Sequence, residues 1–159
     1  MKKQKGFTLI EMLIVVSIIG ILSALILVGL SQFRLRGRDA RRIADLKQVQ
    51  NGLEIYYTRN SAYPDVSGGT AVLNWAALTA AITGAGVGLN QLPQDPLATA
   101  DNGVSYYYQD CNLSQNYVVA ATLEDTNNQA LKDSAQGSSA GSCEFGIECG
   151  AAGVYCVQF

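Results

Sequence analysis

The sequence predicts an α+β fold in which one long N-terminal helix packs on a small antiparallel sheet, a pair of layers. Three observations carry this. An apolar run from Phe7 to Leu30 holds a single charge, an amphipathic helical pattern continues from it to about Arg59, and three short β-rich segments lie in the last third of the chain. The hundred or so residues after the helix suffice for one modest core and are too few for two domains.

Phe7 to Leu30 is 24 residues, about 36 Å at helical rise, enough to span a bilayer with some tilt. An ordinary secretory signal has a shorter apolar region with its cleavage site on the far side. Here the small residue, Gly6, precedes the run, so a cut there leaves the membrane anchor on the mature chain. Glu11 sits inside the run. Near the middle of a spanning helix an acidic residue costs about 2.5 to 3.5 kcal/mol, less toward the ends, so Glu11 either snorkels at the interface or meets a partner. Ser17, Gly20 and Ala24 make a small-residue stripe, with Gly20 and Ala24 in the spacing that lets helix backbones approach closely; ordinary membrane composition supplies the same residues.

Past the apolar run, Ala40, Ile43, Leu46, Val49 or Gln50, Leu53 and Tyr56 or Tyr57 recur at spacings of three and four, an apolar stripe on a polar helix. Asn60, Ser61 and Pro64 end it. Val72 to Thr83, with Trp75, Leu78 and Ile82 at helical spacing and Gly84 after them, predicts a short second helix. Gly84 to Gly103, carrying Pro93 and Pro96, reads as a long loop. Strands are predicted at Val104 to Gln109, Tyr117 to Leu123 and Val154 to Gln158, with the rings of Tyr106, Tyr107 and Tyr108 on both faces of the first. Gln136 to Ser142, rich in Gly, Ser and Ala, reads as a flexible surface loop.

Charge is unevenly placed. Without Lys2, Lys3 and Lys5 the chain has eight basic against 13 acidic residues, and after Asn60 only Lys132 opposes nine carboxylates. Such an acidic domain does not bind nucleic acid through phosphate contacts. Arg34, Arg36, Arg38, Arg41 and Arg42 follow the apolar run, directed at lipid headgroups or neighbouring subunits, with Asp39 and Asp45 as counter-charges. By the positive-inside rule they oppose the leader lysines, so charge alone leaves orientation open. Cys111, Cys143, Cys149 and Cys156, an even number in a chain without His, favour disulfides and an oxidising exterior over zinc, with three pairings possible.

No catalytic group is assigned: Ser31 and Ser61 have no base near them in sequence, and no Gly-rich phosphate loop follows a strand. Glu124-Asp125-Thr126-Asn127-Asn128 is oxygen-rich but lacks the ligand spacing of an EF-hand; such runs usually turn the chain. No metal ligand or cofactor is assigned.

The junction Gly6-Phe7-Thr8-Leu9-Ile10-Glu11, between the basic leader and the apolar run, resembles the prepilin leader and N-terminal helix shared by type IV pilins, type II secretion pseudopilins and competence pseudopilins. Tyr56-Tyr57 through Tyr63-Pro64, and Leu92-Pro93-Gln94-Asp95-Pro96 followed by the tyrosines at Tyr106, are similar to the major pseudopilins of type II secretion. The resemblance implies a leader over residues 1–6, a transmembrane half-helix over 7–30, an amphipathic half over 31–60 and an extracytoplasmic globular domain over 61–159. It implies cleavage between Gly6 and Phe7 by prepilin peptidase on the cytoplasmic face and methylation of the Phe7 amine. Glu11 would then meet that amine on a neighbouring subunit. The implied partners are identical and related pilin subunits, an inner-membrane assembly platform and the bilayer, in a structural protein that is no enzyme. The precursor would sit in the inner membrane with its N-terminus cytoplasmic. Type IV pilins commonly have a proline near the position of Val28; this chain has none, so any loosened segment would centre on Gly20 and Gly29. The competing reading is a membrane-anchored extracytoplasmic binding domain that does not polymerise.

Overall fold

The computed structural model describes residues 6–66, 71–98, 106–111, 114–134 and 149–159. Helix α1 (Leu9–Asn60) runs through Val28 unbroken; with no proline there, no backbone donor is lost from the helix. The chain divides into two compact units, Met1–Gly37 and Arg38–Phe159.

In the first unit the described apolar side chains lie mostly exposed. Phe7, Ile10, Leu13, Ile18 and Leu22 are all exposed. Among the described residues this is the one helix long and apolar enough to cross a bilayer, by length and composition.

In the second unit the stripe read from sequence is the helix face of the core. Leu46, Val49 and Leu53 are fully buried, with Ile43, Tyr56 and Tyr57 half-buried beside them. Ala40, predicted on that stripe, is exposed; the buried face continues instead through Arg42 and Asp39. The helix ends where Ser61 takes the left-handed conformation (φ 57°), its N–H donating to Tyr57 O at 2.8 Å, while Asn60 Nδ2 donates to Tyr56 O at 3.0 Å. This is the αL ending normally given to glycine.

Helix α2 (Ala71–Gly84) buries Trp75, Leu78 and Ile82, with Trp75 5.3 Å from the ring of Tyr106. Its end is held from α1: the Arg59 guanidinium donates to the carbonyls of Ala85 and Gly86, each at 3.0 Å, satisfying acceptors that the helix end leaves open. Gly86 (φ 64°) and Gly88 (φ 87°) then turn the chain.

The sheet is an antiparallel meander of β1 (Tyr106–Cys111), β2 (Asn116–Thr122) and β3 (Val154–Gln158) in sequence order. The predicted start of the first strand, Val104, lies outside the described residues, and the strand extends two residues past Gln109. A short 3-10 helix (Gln129–Lys132), not predicted, is capped by the side chain of Asn128. The predicted flexible loop, Gln136 to Ser142, lies outside the described residues.

Period two assigns the faces. Tyr106, Tyr108, Tyr117, Val119, Ala121 and Tyr155 join the helices in the main core; Cys111, Val118, Ala120 and Cys156 form a second, smaller cluster with Tyr107 packed against it. The tyrosine triplet thus places rings on both faces, as predicted. The inward phenols find acceptors, which buried hydroxyls need: Tyr106 donates to Asp45 at 2.7 Å, Tyr108 to Pro64 O at 2.9 Å and Tyr117 to Glu54 at 3.1 Å. Carboxylates on α1 therefore tie the helix to the sheet.

Candidate functional site

The leader, Met1 to Lys5, lies outside the described residues; the site begins at Gly6. Phe7 is 80% exposed, and Thr8 is the residue before the first helical position. The Glu11 N–H donates to Thr8 Oγ1 at 3.2 Å. Glu11 Oε2 in return accepts from Thr8 N at 2.8 Å and from Thr8 Oγ1 at 2.7 Å. This is a capping box, in which residues three apart satisfy each other's otherwise open donors. Glu11 also places its negative charge at the positive end of the helix dipole. The Thr-x-x-Glu spacing was in the sequence, and Thr8 is the residue that reading the carboxylate alone overlooked. Oε1 has no partner among the described residues, so the carboxylate retains acceptor capacity beyond its own chain.

Further along, the Ser17 hydroxyl donates to Leu13 O at 2.7 Å and is satisfied within its own helix. At Gly20 an added Cβ would meet no atom of this chain. Nothing described here thus requires a glycine at that position.

The arginine cluster divides. Arg42, 2% exposed, is a hub: its guanidinium grips Asp95 through Nε at 2.6 Å and Nη2 at 3.1 Å, while Nη1 donates to Asp39 at 2.8 Å and Glu124 at 2.7 Å. Arg38 forms a second fork onto Glu124. Asp39 reaches across to accept the backbone N–H groups of Glu124 and Asp125, each at 2.9 Å. Burial works against the Arg42 charge, but the hydrogen bonds it donates to Asp95, Glu124 and Asp39 outweigh it and raise the guanidinium above its ordinary range. The Arg38 hydrogen bond holds the Glu124 carboxyl below its ordinary range. The expectation that this cluster faces headgroups or neighbours is therefore corrected for Arg38 and Arg42. They are spent on their own domain, because Asp95 and Glu124, both distant in sequence, fold onto them beside the neighbouring Asp39. Arg34, Arg36 and Arg41 remain exposed, Arg41 lying 3.8 Å from Asp45.

The same contacts account for two motifs. Asp95 Oδ1 accepts the Leu97 N–H at 2.7 Å and Asp95 O the Ala98 N–H at 2.9 Å, so Leu92-Pro93-Gln94-Asp95-Pro96 ends in a turn bolted to α1 through Arg42. In the oxygen-rich run, Asp125 accepts from Asn127 N at 3.0 Å and Asn128 caps the 3-10 helix, the chain-turning role of Asx residues. Cys149 and Cys156 form a disulfide with Cα atoms 5.6 Å apart. Cys111 is also disulfide-bonded; Cys143 lies outside the described residues.

The family model described as the prokaryotic N-terminal methylation motif matches residues 1–27. The type II secretion system core protein G of Klebsiella pneumoniae is 31% identical over 99 residues, 60% of this chain and 71% of that protein. The chain belongs to the type II secretion core protein G family. The core protein G of Vibrio cholerae is 34% identical over 73 residues, 46% of this chain, and the chain spans half the length of that relative. The type IV major pilin protein PilA of Myxococcus xanthus is 33% identical over 63 residues, 40% of this chain and 29% of that protein. No solved structure matches the chain. As a member of the core protein G family, the chain carries its methylation motif across the capping box and the exposed helix described above.

Proposed function

We propose that the chain is a structural subunit of a secretion pseudopilus or pilus, made as a membrane precursor and assembled through α1. Residues 1–6 are a leader removed by prepilin peptidase, residues 7–30 hold the precursor in the inner membrane, residues 31–60 continue the helix into the domain, and residues 61–159 form that domain on the extracytoplasmic side. The Phe7 amine released by cleavage after Gly6 is methylated and meets the Glu11 carboxylate of a neighbouring subunit. The inner-membrane assembly platform receives the processed chain, and identical and related subunits are its partners in the filament.

The observation that carries this reading is the junction itself. The cleavable Gly6-Phe7 bond lies immediately before the helix N-cap, and a carboxylate with spare acceptor capacity stands one turn into an unburied apolar helix. An open position at Gly20, with Ser17 and Ala24 on the same stripe, supports close approach of another helix. In a low-dielectric filament core the Phe7–Glu11 pair acts mainly as registry, since either charge left alone there is costly.

Two measurements test the reading. Intact mass of protein from its native membrane should give a chain starting at Phe7 with one added methyl; a native chain still starting at Met1 in peptidase-competent cells counts against it. Glu11→Ala should be cleaved and inserted normally, because removing a charge suits the helix to lipid, yet should form no filaments. Filaments at normal abundance from Glu11→Ala would make the carboxylate incidental and favour the anchored, non-polymerising domain.

A further inference from the structure

Along an exposed side of α1 the globular unit carries an open groove of about 480 Å³. Ala44, Lys47 and Ile55 line it from the helix, over about 16 Å at helical rise, and Val87 and Leu89 wall it from the loop after α2. The wall is built in. A Cβ on the buried Gly52 would meet Leu89 Cδ1 at 2.5 Å, so the glycine lets Leu89 rest directly on the helix, and Arg59 clasps the carbonyls of Ala85 and Gly86 just before it. The groove's one charge is Lys47, which has no ion pair among the described residues.

A second apolar group stands elsewhere on the same unit. Leu97 is 50% exposed and does not line the groove of its own chain. An exposed leucine alone is ordinary. The backbone under this one is not, because Asp95 Oδ1 accepts the Leu97 N–H at 2.7 Å while Arg42 holds the same carboxylate at 2.6 and 3.1 Å. The knob is thus fixed before it meets anything, which removes an ordering cost from association.

We propose that Leu97 of one copy docks in the α1 groove of a second copy, between Ala44 and Ile55. Charge selects this occupant. After Asn60 the chain has one lysine against nine carboxylates, so Lys47 in the groove meets an acidic surface when another copy enters. Groove against groove would instead oppose two Lys47 ammonium groups. Knob and groove are different patches, so the contact is head-to-tail and repeats from copy to copy as an open filament or a ring. The inference rests on the subunit reading and deepens it by naming a surface through which the domains meet.

The full chain is produced in peptidase-competent cells with the photoreactive residue p-benzoylphenylalanine at Leu97, and the membranes and any filaments are irradiated. The expected product is a dimer on a denaturing gel, its adduct mapping by mass spectrometry to residues 44–55 or 87–89 of the second copy. Ala44→Trp, which fills the groove from an exposed position, should abolish the adduct, whereas Ala76→Trp, exposed on α2 and outside the groove, should leave it unchanged. Lys47→Glu should lower the yield by about fivefold. A parallel chain with the probe at Leu13, in the apolar helix, reports assembly separately. Leu13 dimers with no groove adduct from Leu97, an adduct that maps elsewhere or to a different protein, or a yield indifferent to either groove change would overturn the proposal and leave the subunit reading standing. Dimers from neither probe would overturn both.

Discussion

Arg42 and Asp39 sit on the buried seam of α1, in line with Leu46, Val49 and Leu53. Nothing in their neighbours along the chain says so. A charged residue in a helical pattern reads as solvent-facing, and what turns these inward is Asp95 and Glu124, more than fifty residues away. Arg42→Ala would leave Asp39 and Asp95 buried without their cation, at a cost of about 3 to 5 kcal/mol. A large fall in the denaturant midpoint of the purified chain is the expected result, and Arg42→Lys should recover only part of it, because one ammonium cannot reproduce the fork onto Asp95. A second consequence concerns alkali. Burial first, then Glu54, pushes the Tyr63 phenol up to about 12, and burial drives Tyr106, Tyr108 and Tyr117 higher still. The fold therefore prefers these phenols neutral. Their contribution to stability is complete below the ordinary tyrosine value of about 10 and is lost as pH rises from there through the folded values. Of the eight tyrosines, an ultraviolet titration should show these four ionising only as the fold is lost; all eight titrating together near 10 with the sheet intact would contradict it.

Elements were more legible than residues. The three-and-four spacing of Leu46, Val49 and Leu53 in α1, that of Trp75, Leu78 and Ile82 in α2, and the placing of the Tyr106, Tyr107 and Tyr108 rings on both faces of β1 are local patterns, and each emerged where it was read. The helix ends fell close to where they were read, but the side-chain contacts that set them were not legible. The α1 start is set by the Thr8–Glu11 box, and Thr8→Val removes the hydroxyl that both accepts from the Glu11 N–H and donates to its carboxylate. Loss of this cap should cost about 1 kcal/mol, seen as faster amide exchange over the first turn while the globular domain keeps its melting point. The α1 end is set by Ser61 at φ 57°, a conformation that costs an L residue about 1 kcal/mol or more and costs glycine nothing. Ser61→Gly keeps the backbone carbonyl that accepts from Gln115 and should raise the domain's stability, read as a higher urea midpoint; a lower midpoint would mean that the Ser61 side chain matters more than its backbone strain.

For the whole molecule, a single spanning segment at residues 7–30, as proposed above, would put all four cysteines on one side of the membrane. Charge alone left that side open, because five arginines oppose the three lysines. The fold lessens the conflict by neutralising Arg38 and Arg42 with the domain's own carboxylates. Pairing of the cysteines was illegible because it depends on which strands lie together: Cys156 stands opposite Ala120 in β3, and the turn before that strand brings Cys149 back to it. An exterior domain carries a chemical consequence. Alkylation of unreduced protein from its native membrane should label none of the four cysteines, whereas a cytoplasmic domain would be held reduced and would label several. Reduction should then weaken the fold, and the Cys149–Cys156 bridge, closing a loop of separation 7, should contribute about 2 to 3 kcal/mol by restricting the unfolded chain. Because that bridge anchors the chain entering β3 to the small cluster of Val118, Ala120 and Cys111, Cys149→Ser/Cys156→Ser should loosen β3 before α2. Amide exchange that speeds up in α2 as much as in β3 would instead mean that the sheet and helices open as a single unit.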